Sequence, residues 1–149
     1  MSYENKRVDG ETDYEIYTFV FETASEIFEE ITEVSKGLPK EKVYLADLVC
    51  KHSKLVCVNL EEAWRMKEHS TAFLDKLSDA AQAASKTQDV LKLASKNNYI
   101  DREIFKRIDA RYENIFEDIF SILCEGKEFL NHAKSNVRTS AEREIAAVV

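Results

Sequence analysis

Gly37-Leu38-Pro39 and Asn97-Asn98-Tyr99-Ile100 are two short breaks in a sequence that is otherwise amphipathic over most of its length. Pro and Gly are disfavoured inside helices, and Asn tolerates the left-handed backbone that often follows a helix end. On both sides of each break, apolar residues recur at spacings of three and four, which is typical of helices with one buried face. Breaks of this length join neighbouring antiparallel helices.

Four helices are predicted from this spacing, over about residues 13–36, 40–67, 70–96 and 101 onward. The first is predicted to stop at Gly37, where a left-handed residue costs least, while Ser70 and Asp101 are predicted to cap the third and fourth. The fold class is therefore all-α, an antiparallel up-down-up-down four-helix bundle. We expect one domain at 13–136, a flexible polar leader at 1–12 and a flexible or partly helical tail at 137–149.

The composition limits the functions that the chain can have. Its 149 residues include 28 acidic and 21 basic side chains, giving a net charge of -7. This charge disfavours broad attraction to nucleic acid or to an anionic membrane. No apolar run approaches the roughly 20 residues of a membrane span, and the polar first residues are not a secretory signal. We therefore expect a cytoplasmic protein that does not contact a membrane.

The sequence predicts no catalytic, cofactor or metal site. Metal-binding bundles place a Glu three residues before a His, but the residues three before His52, His69 and His132 are Val49, Met66 and Phe129. No phosphate-binding loop is present among 3 glycines. Cys50, Cys57 and Cys124 lack the close spacing of zinc ligands and are interpreted as small buried apolar residues. A non-enzymatic protein is expected, because no nucleophile, base and oxyanion donor converge.

The second helix carries more apolar residues than one buried face requires. Leu45, Leu48, Val49, Leu55, Val56, Val58, Leu60, Ala63 and Trp64 are distributed over several sides of it. A helix in a four-helix monomer needs about one buried stripe. The surplus predicts a subunit interface, for which the candidate residues are Leu55, Val56, Asn59, Glu62 and Trp64. The alternative is a helix central to its own bundle.

The same helix is also locally cationic, with six basic against four acidic side chains over residues 40–67. Lys51, Lys54, Arg65 and Lys67 are therefore candidate contacts for nucleic acid. The alternative is that they are ordinary solvated side chains beside an interface, since strong phosphate binding usually involves denser clusters of Arg and Lys.

Several motifs resemble one bacterial family along residues 14–130. The loop reads Leu38-Pro39-Lys40-Glu41, the second helix contains Asn59-Leu60-Glu61-Glu62-Ala63 followed by Arg65, Phe73 starts the third helix, and the last turn reads Asn98-Tyr99-Ile100. With this spacing the chain resembles the four-helix-bundle proteins first noted as reading frames in intervening sequences of bacterial large-subunit ribosomal RNA. The same fold group includes the accessory protein of diversity-generating retroelements.

The resemblance implies a ring-forming, commonly pentameric bundle without known enzymatic activity, so that the first partner is the chain itself. It also implies an alternative, an RNA or ribonucleoprotein accessory factor that works with a reverse transcriptase. Asn59, Glu62 and Arg65 match the family pattern, with Lys51 replacing an Arg. The chain departs from the pattern at Leu48-Val49-Cys50-Lys51-His52, where the family has Gln-Ile-Arg-Arg-Ala, and at Lys86-Thr87-Gln88, where it has Glu-Leu-Glu.

Overall fold

The computed structural model describes residues 11–134, with side chains described for residues 15–124. Four α-helices account for most of this part of the chain, and a short 3-10 helix, Lys40–Lys42, precedes the second of them. The helices are α1 (Glu11–Ser35), α2 (Val43–Arg65), α3 (Ser70–Lys96) and α4 (Arg102–Lys134). The predicted all-α four-helix fold is therefore confirmed. Residues 1–10 of the predicted leader (1–12) and the predicted tail at 137–149 lie outside the described residues, and α1 begins two residues before the predicted boundary at residue 13.

Each helix packs against two others in the cyclic order α1, α2, α3, α4. Between α1 and α4, Glu26 pairs with Arg111 at 2.6 Å and Glu30 pairs with Arg107. Because the residue numbers rise on one helix as they fall on the other, α1 and α4 are antiparallel. The end of α2 is likewise joined to the first turns of α3 by an ion pair, so the bundle has the predicted up-down-up-down order.

The core lies along the axis of the bundle and is built from one stripe on each helix. On α1 the stripe is Ile16, Val20, Ala24, Ile27 and Ile31, all at most 1% exposed. Tyr17 and Val34 on the same helix pack only partly against the core. On α3 the stripe is rich in Ala, which lets neighbouring backbones approach closely. The largest buried side chain is that of Tyr112 on α4, whose pKa is raised well above its usual value by burial.

The turn between α3 and α4 has the left-handed residue that the sequence predicts. Asn98 has a φ of 59°, the one positive value among the described non-Gly residues. The amide of Tyr99 donates to the carbonyl of Ala94 at 2.9 Å, and the amide of Asn98 donates to Ser95 at 3.0 Å. These two bonds form a Schellman motif, which satisfies the free carbonyls of the helix end. Helix α4 then begins after Asp101, whose carboxylate accepts from the Glu103 amide at 2.8 Å.

Two predicted helix signals are wrong. Gly37 does not have a positive φ. Successive amides from Lys36 to Leu38 donate to carbonyls three residues earlier, so the chain tightens in the right-handed sense and no left-handed residue is required. Ser70 is the first residue of α3 rather than its cap, because the cap position belongs to His69, which makes no side-chain capping bond.

Candidate interaction surfaces on helix α2

Helix α2 has two apolar sides. Its core side consists of Leu45, Val49, Val56, Leu60 and Ala63, which are at most 4% exposed. A second stripe, which we call the outer stripe, consists of Tyr44, Leu48, Leu55 and Met66, which are 36–55% exposed. Its spacings of four, seven and eleven residues correspond to whole numbers of helical turns, so these residues share one face. This face is about 100° from the core side, since adjacent helical residues are that far apart.

The residues predicted for a subunit interface do not share one surface. Val56 is 0% exposed within its own bundle and therefore cannot contact a second copy directly. Leu55, in contrast, lies on the outer stripe and is available for contact. Asn59 and Glu62 are half-buried on the side of α2 that faces α3. The structure thus keeps three of the five predicted residues near one another.

Trp64 lies on the opposite flank of α2, where it contacts α1. Its ring stacks on that of Tyr17, with the ring centroids 4.4 Å apart and the planes 17° from parallel. Nζ of Lys67 lies 5.0 Å from the centroid of the Trp64 ring, which is within the range of a cation–π contact. The sequence assigns Trp64 to a subunit interface, but in the structure it packs at one end of the α1–α2 contact within its own bundle.

The rest of this flank is occupied by two thiols. Sγ of Cys57 lies 4.0 Å from Oγ of Ser25, and Sγ of Cys50 lies 3.4 Å from Oγ of Ser35. Both cysteines are free and pack partly against the core, so they are less buried than the sequence predicts. Burial raises the pKa of the Cys57 thiol, which disfavours the reactive thiolate. The α1 flank is thus a structural contact.

The α3 flank is an open groove of about 270 Å³. We call it the basic groove. It is lined by Lys51, His52, Leu55, Asn59, Asp79, Gln82, Ala83 and Lys86. Among the described residues, Nδ1 of His52 is buried and has no hydrogen-bond partner. Burial, followed by the charges of Lys86 and Lys51, lowers the pKa of His52 below its usual value.

The charged residues near the end of α2 are paired in two different ways. Oε2 of Glu62 lies 2.9 Å from Nζ of Lys76 on α3, and this hydrogen bond lowers the pKa of the Glu62 carboxyl. Glu61 pairs with Arg65 at 2.6 Å within α2. Arg65 and Lys67 therefore already have partners, whereas Lys51 and Lys54 are exposed and form no ion pair within the described part of the chain. The structure thus separates the four candidate nucleic-acid contacts into two pairs.

A second, larger cleft of about 500 Å³ lies between α3 and α4. Its α4 wall is apolar and includes Phe116, Ile119, Phe120 and Leu123, while Gln82, Ser85 and Gln88 contribute polar side chains from α3. Phe120 is 37% exposed at the edge of this cleft. No charged residue lines this cleft, so it differs in character from the basic groove.

Residues 15–124 hold no group of three or more His, Cys, Asp or Glu side chains placed to bind a metal ion. None of the helices in the described part of the chain is both long and apolar enough to cross a membrane.

The fold and its motifs agree with comparisons to known proteins. Residues 18–121 match the model of the 23S rRNA-intervening sequence protein family, and the chain belongs to that family. A crystal structure of a protein of unknown function, from the S23 ribosomal protein family of Bacteroides thetaiotaomicron, has a similar fold. Its TM-score is 0.65 and its sequence identity 23%, over 72% of this chain and 96% of the other. No curated protein matches the chain.

Proposed function

We propose that this protein is a cytoplasmic, non-enzymatic interaction module that assembles with itself into a closed ring of five copies. The observation that carries the proposal is the outer stripe of α2. Isolated exposed apolar residues are common on soluble proteins, whereas four that share one helical face, with Lys51 and Glu62 between them, supply several apolar contacts to a single partner surface.

A ring requires two different surfaces on each copy, because its contacts are heterologous. The outer stripe supplies one surface. The cleft between α3 and α4 is a suitable second surface, since it is concave, uncharged and bordered by the exposed Phe120. We assign the outer stripe of one copy to the cleft of the next. The number five rests on the resemblance of the motifs to the family. The outer stripe and the cleft are the two surfaces assigned to the contacts between copies.

The mass of the full chain in solution tests this assignment. Light scattering on a size-exclusion column should give a mass near five chains for the wild type. Leu55→Asp and Phe120→Asp should each give smaller species, because each places a charge in an apolar contact.

Leu93→Asp is a matched control, because Leu93 is 47% exposed on α3 and lies outside both surfaces. It should leave the mass unchanged. A monomeric wild type would refute the ring. A ring that survives both Leu55→Asp and Phe120→Asp would refute the surfaces assigned to it.

The second candidate function is that of an RNA or ribonucleoprotein accessory factor, such as a partner of a reverse transcriptase. The exposed and unpaired Lys51 and Lys54 support it, as does the reference to ribosomal RNA in the family's description. Phosphate contacts release counterions, so binding to single-stranded RNA should weaken steeply with salt. An absence of binding at low salt would remove this candidate.

A further inference from the structure

The basic groove brings together residues that are far apart in the sequence. Lys51 and His52 come from the middle of α2, and Lys86 comes from the middle of α3. Because α2 and α3 are antiparallel, residues 51 and 86 lie at the same level of the bundle. The groove therefore carries cations from both helices.

The chemistry of the groove suits an anion with two charges. Among the described residues, neither Lys51 nor Lys86 forms an ion pair, and the two lie on opposite walls. Asn59 and Gln82 add side-chain amides that can donate hydrogen bonds. Nδ1 of His52 is a buried polar atom without a described partner, and such atoms are costly unless a ligand or water satisfies them. Asp79 is the one acidic residue that lines the groove.

We propose that the basic groove is a binding site for a phosphate group, held between Lys51 and Lys86 and hydrogen-bonded by His52, Asn59 and Gln82. Lysine is a common phosphate ligand because its ammonium is a compact charge, whereas carboxylates are more often recognised by the planar fork of Arg. A volume of about 270 Å³ accommodates a phosphate together with part of the molecule that carries it.

The groove differs from the cationic strip predicted from the sequence. That strip consists of Lys51, Lys54, Arg65 and Lys67, which all come from α2 or the turn after it. The groove keeps only Lys51 from this set and adds Lys86 and His52. The two assignments therefore make different predictions for Lys54 and Lys86.

The test is a titration of the full chain with inorganic phosphate at constant ionic strength, followed through the imidazole signals of the 3 histidines by NMR. His52→Gln identifies the signal of His52. We expect a saturable shift of that signal and a higher pKa for His52 when phosphate is bound, because the anion favours the charged imidazolium.

Charge reversal then locates the cations. Lys51→Glu and Lys86→Glu should each weaken phosphate binding by about tenfold, because each replaces an attraction with a repulsion at close range. Lys92→Glu on α3 is the matched control: it makes the same charge change outside the groove and should alter affinity less than about twofold, as expected for a screened, more distant charge. Light scattering on each variant shows whether assembly has changed, so a failure of the ring and a failure of the groove remain distinguishable.

Three results would overturn the proposal: no saturable shift at His52, equal weakening by Lys92→Glu and Lys86→Glu, or weakening by Lys54→Glu as large as that by Lys51→Glu. Once binding is established, competition distinguishes the source of the phosphate. Displacement by a short RNA with a terminal phosphate, but not by the same RNA without it, indicates a phosphate monoester. Displacement by both indicates backbone phosphates, and displacement by neither indicates a free phosphate.

Discussion

The two flanks of α2 differ although they belong to one helix. The flank facing α1 is closed by the stack of Trp64 on Tyr17 and by the contacts of two thiols with serines. The flank facing α3 is an open groove with two lysines and a histidine. Apolar and aromatic contacts that exclude water stabilise the fold. Unpaired cations beside the buried, unsatisfied Nδ1 of His52 contribute little to stability. The α1 flank is therefore filled by contacts within the bundle, whereas the α3 flank, although it packs extensively on α3, leaves a groove open to solvent.

The largest effect should come from the core side of α2, between these flanks. Leu60→Ala should lower the free energy of unfolding by about 3 kcal/mol, because Leu60 is 1% exposed and its truncation leaves a cavity. Leu55→Ala, the same change on the outer stripe, should cost less than about 1 kcal/mol within a single bundle. Urea unfolding followed by circular dichroism, at the lowest workable protein concentration, measures both. Equal losses would mean that the outer stripe is covered within the bundle.

An intermediate effect is expected on the α1 flank. Trp64→Ala should lower the free energy of unfolding by about 2 kcal/mol, because it removes a stacked pair and a half-buried ring. The mass in solution should stay that of the wild type, since Trp64 contacts its own α1. Trp64→Phe is the control that keeps an aromatic ring. A smaller mass in solution for Trp64→Ala, with an unchanged free energy of unfolding, would instead show that Trp64 lies in the subunit interface that the sequence predicts.

The smallest effect should be a pH dependence on the α3 flank. The pKa of His52 is lower in the folded protein than in the unfolded chain, so the unfolded chain takes up the proton first as the pH falls. His52 therefore contributes stability above about pH 6.5 that is lost at lower pH. In phosphate-free buffer, the urea midpoint of the wild type should fall more between pH 7.5 and 5.5 than that of His52→Gln. An equal fall in both proteins would contradict this assignment.

Local patterns were sufficient for the fold. Spacings of three and four predict all four helices, and Asn98 and Asp101 predict how α3 ends and α4 begins, because these signals act within one helical turn. The predicted left-handed conformation at Gly37 is wrong because a glycine permits that conformation without requiring it. The amides of Lys36 to Leu38 instead donate to carbonyls three residues earlier, which forms a right-handed turn.

The candidate sites were predicted less well, because they depend on which side of a helix meets its neighbours. The surplus of apolar residues on α2 correctly indicated a second stripe. However, composition did not distinguish Val56, which is buried, from Leu55, which is exposed, although they are adjacent. Leu48 and Leu55 are seven residues apart, and so are Val49 and Val56. Either pair would therefore fit the core side, and the spacing alone does not decide which of the two is buried.

The sequence by itself determined the helices, their order and the membership of a family, because periodicity, helix ends and motif spacing are properties of neighbouring residues. Only the tertiary structure decided that Trp64 faces α1 and that Lys51, His52 and Lys86 share one groove. The reason is physical: the register of two packed helices fixes which distant side chains meet, and that register depends on packing along the whole length of both.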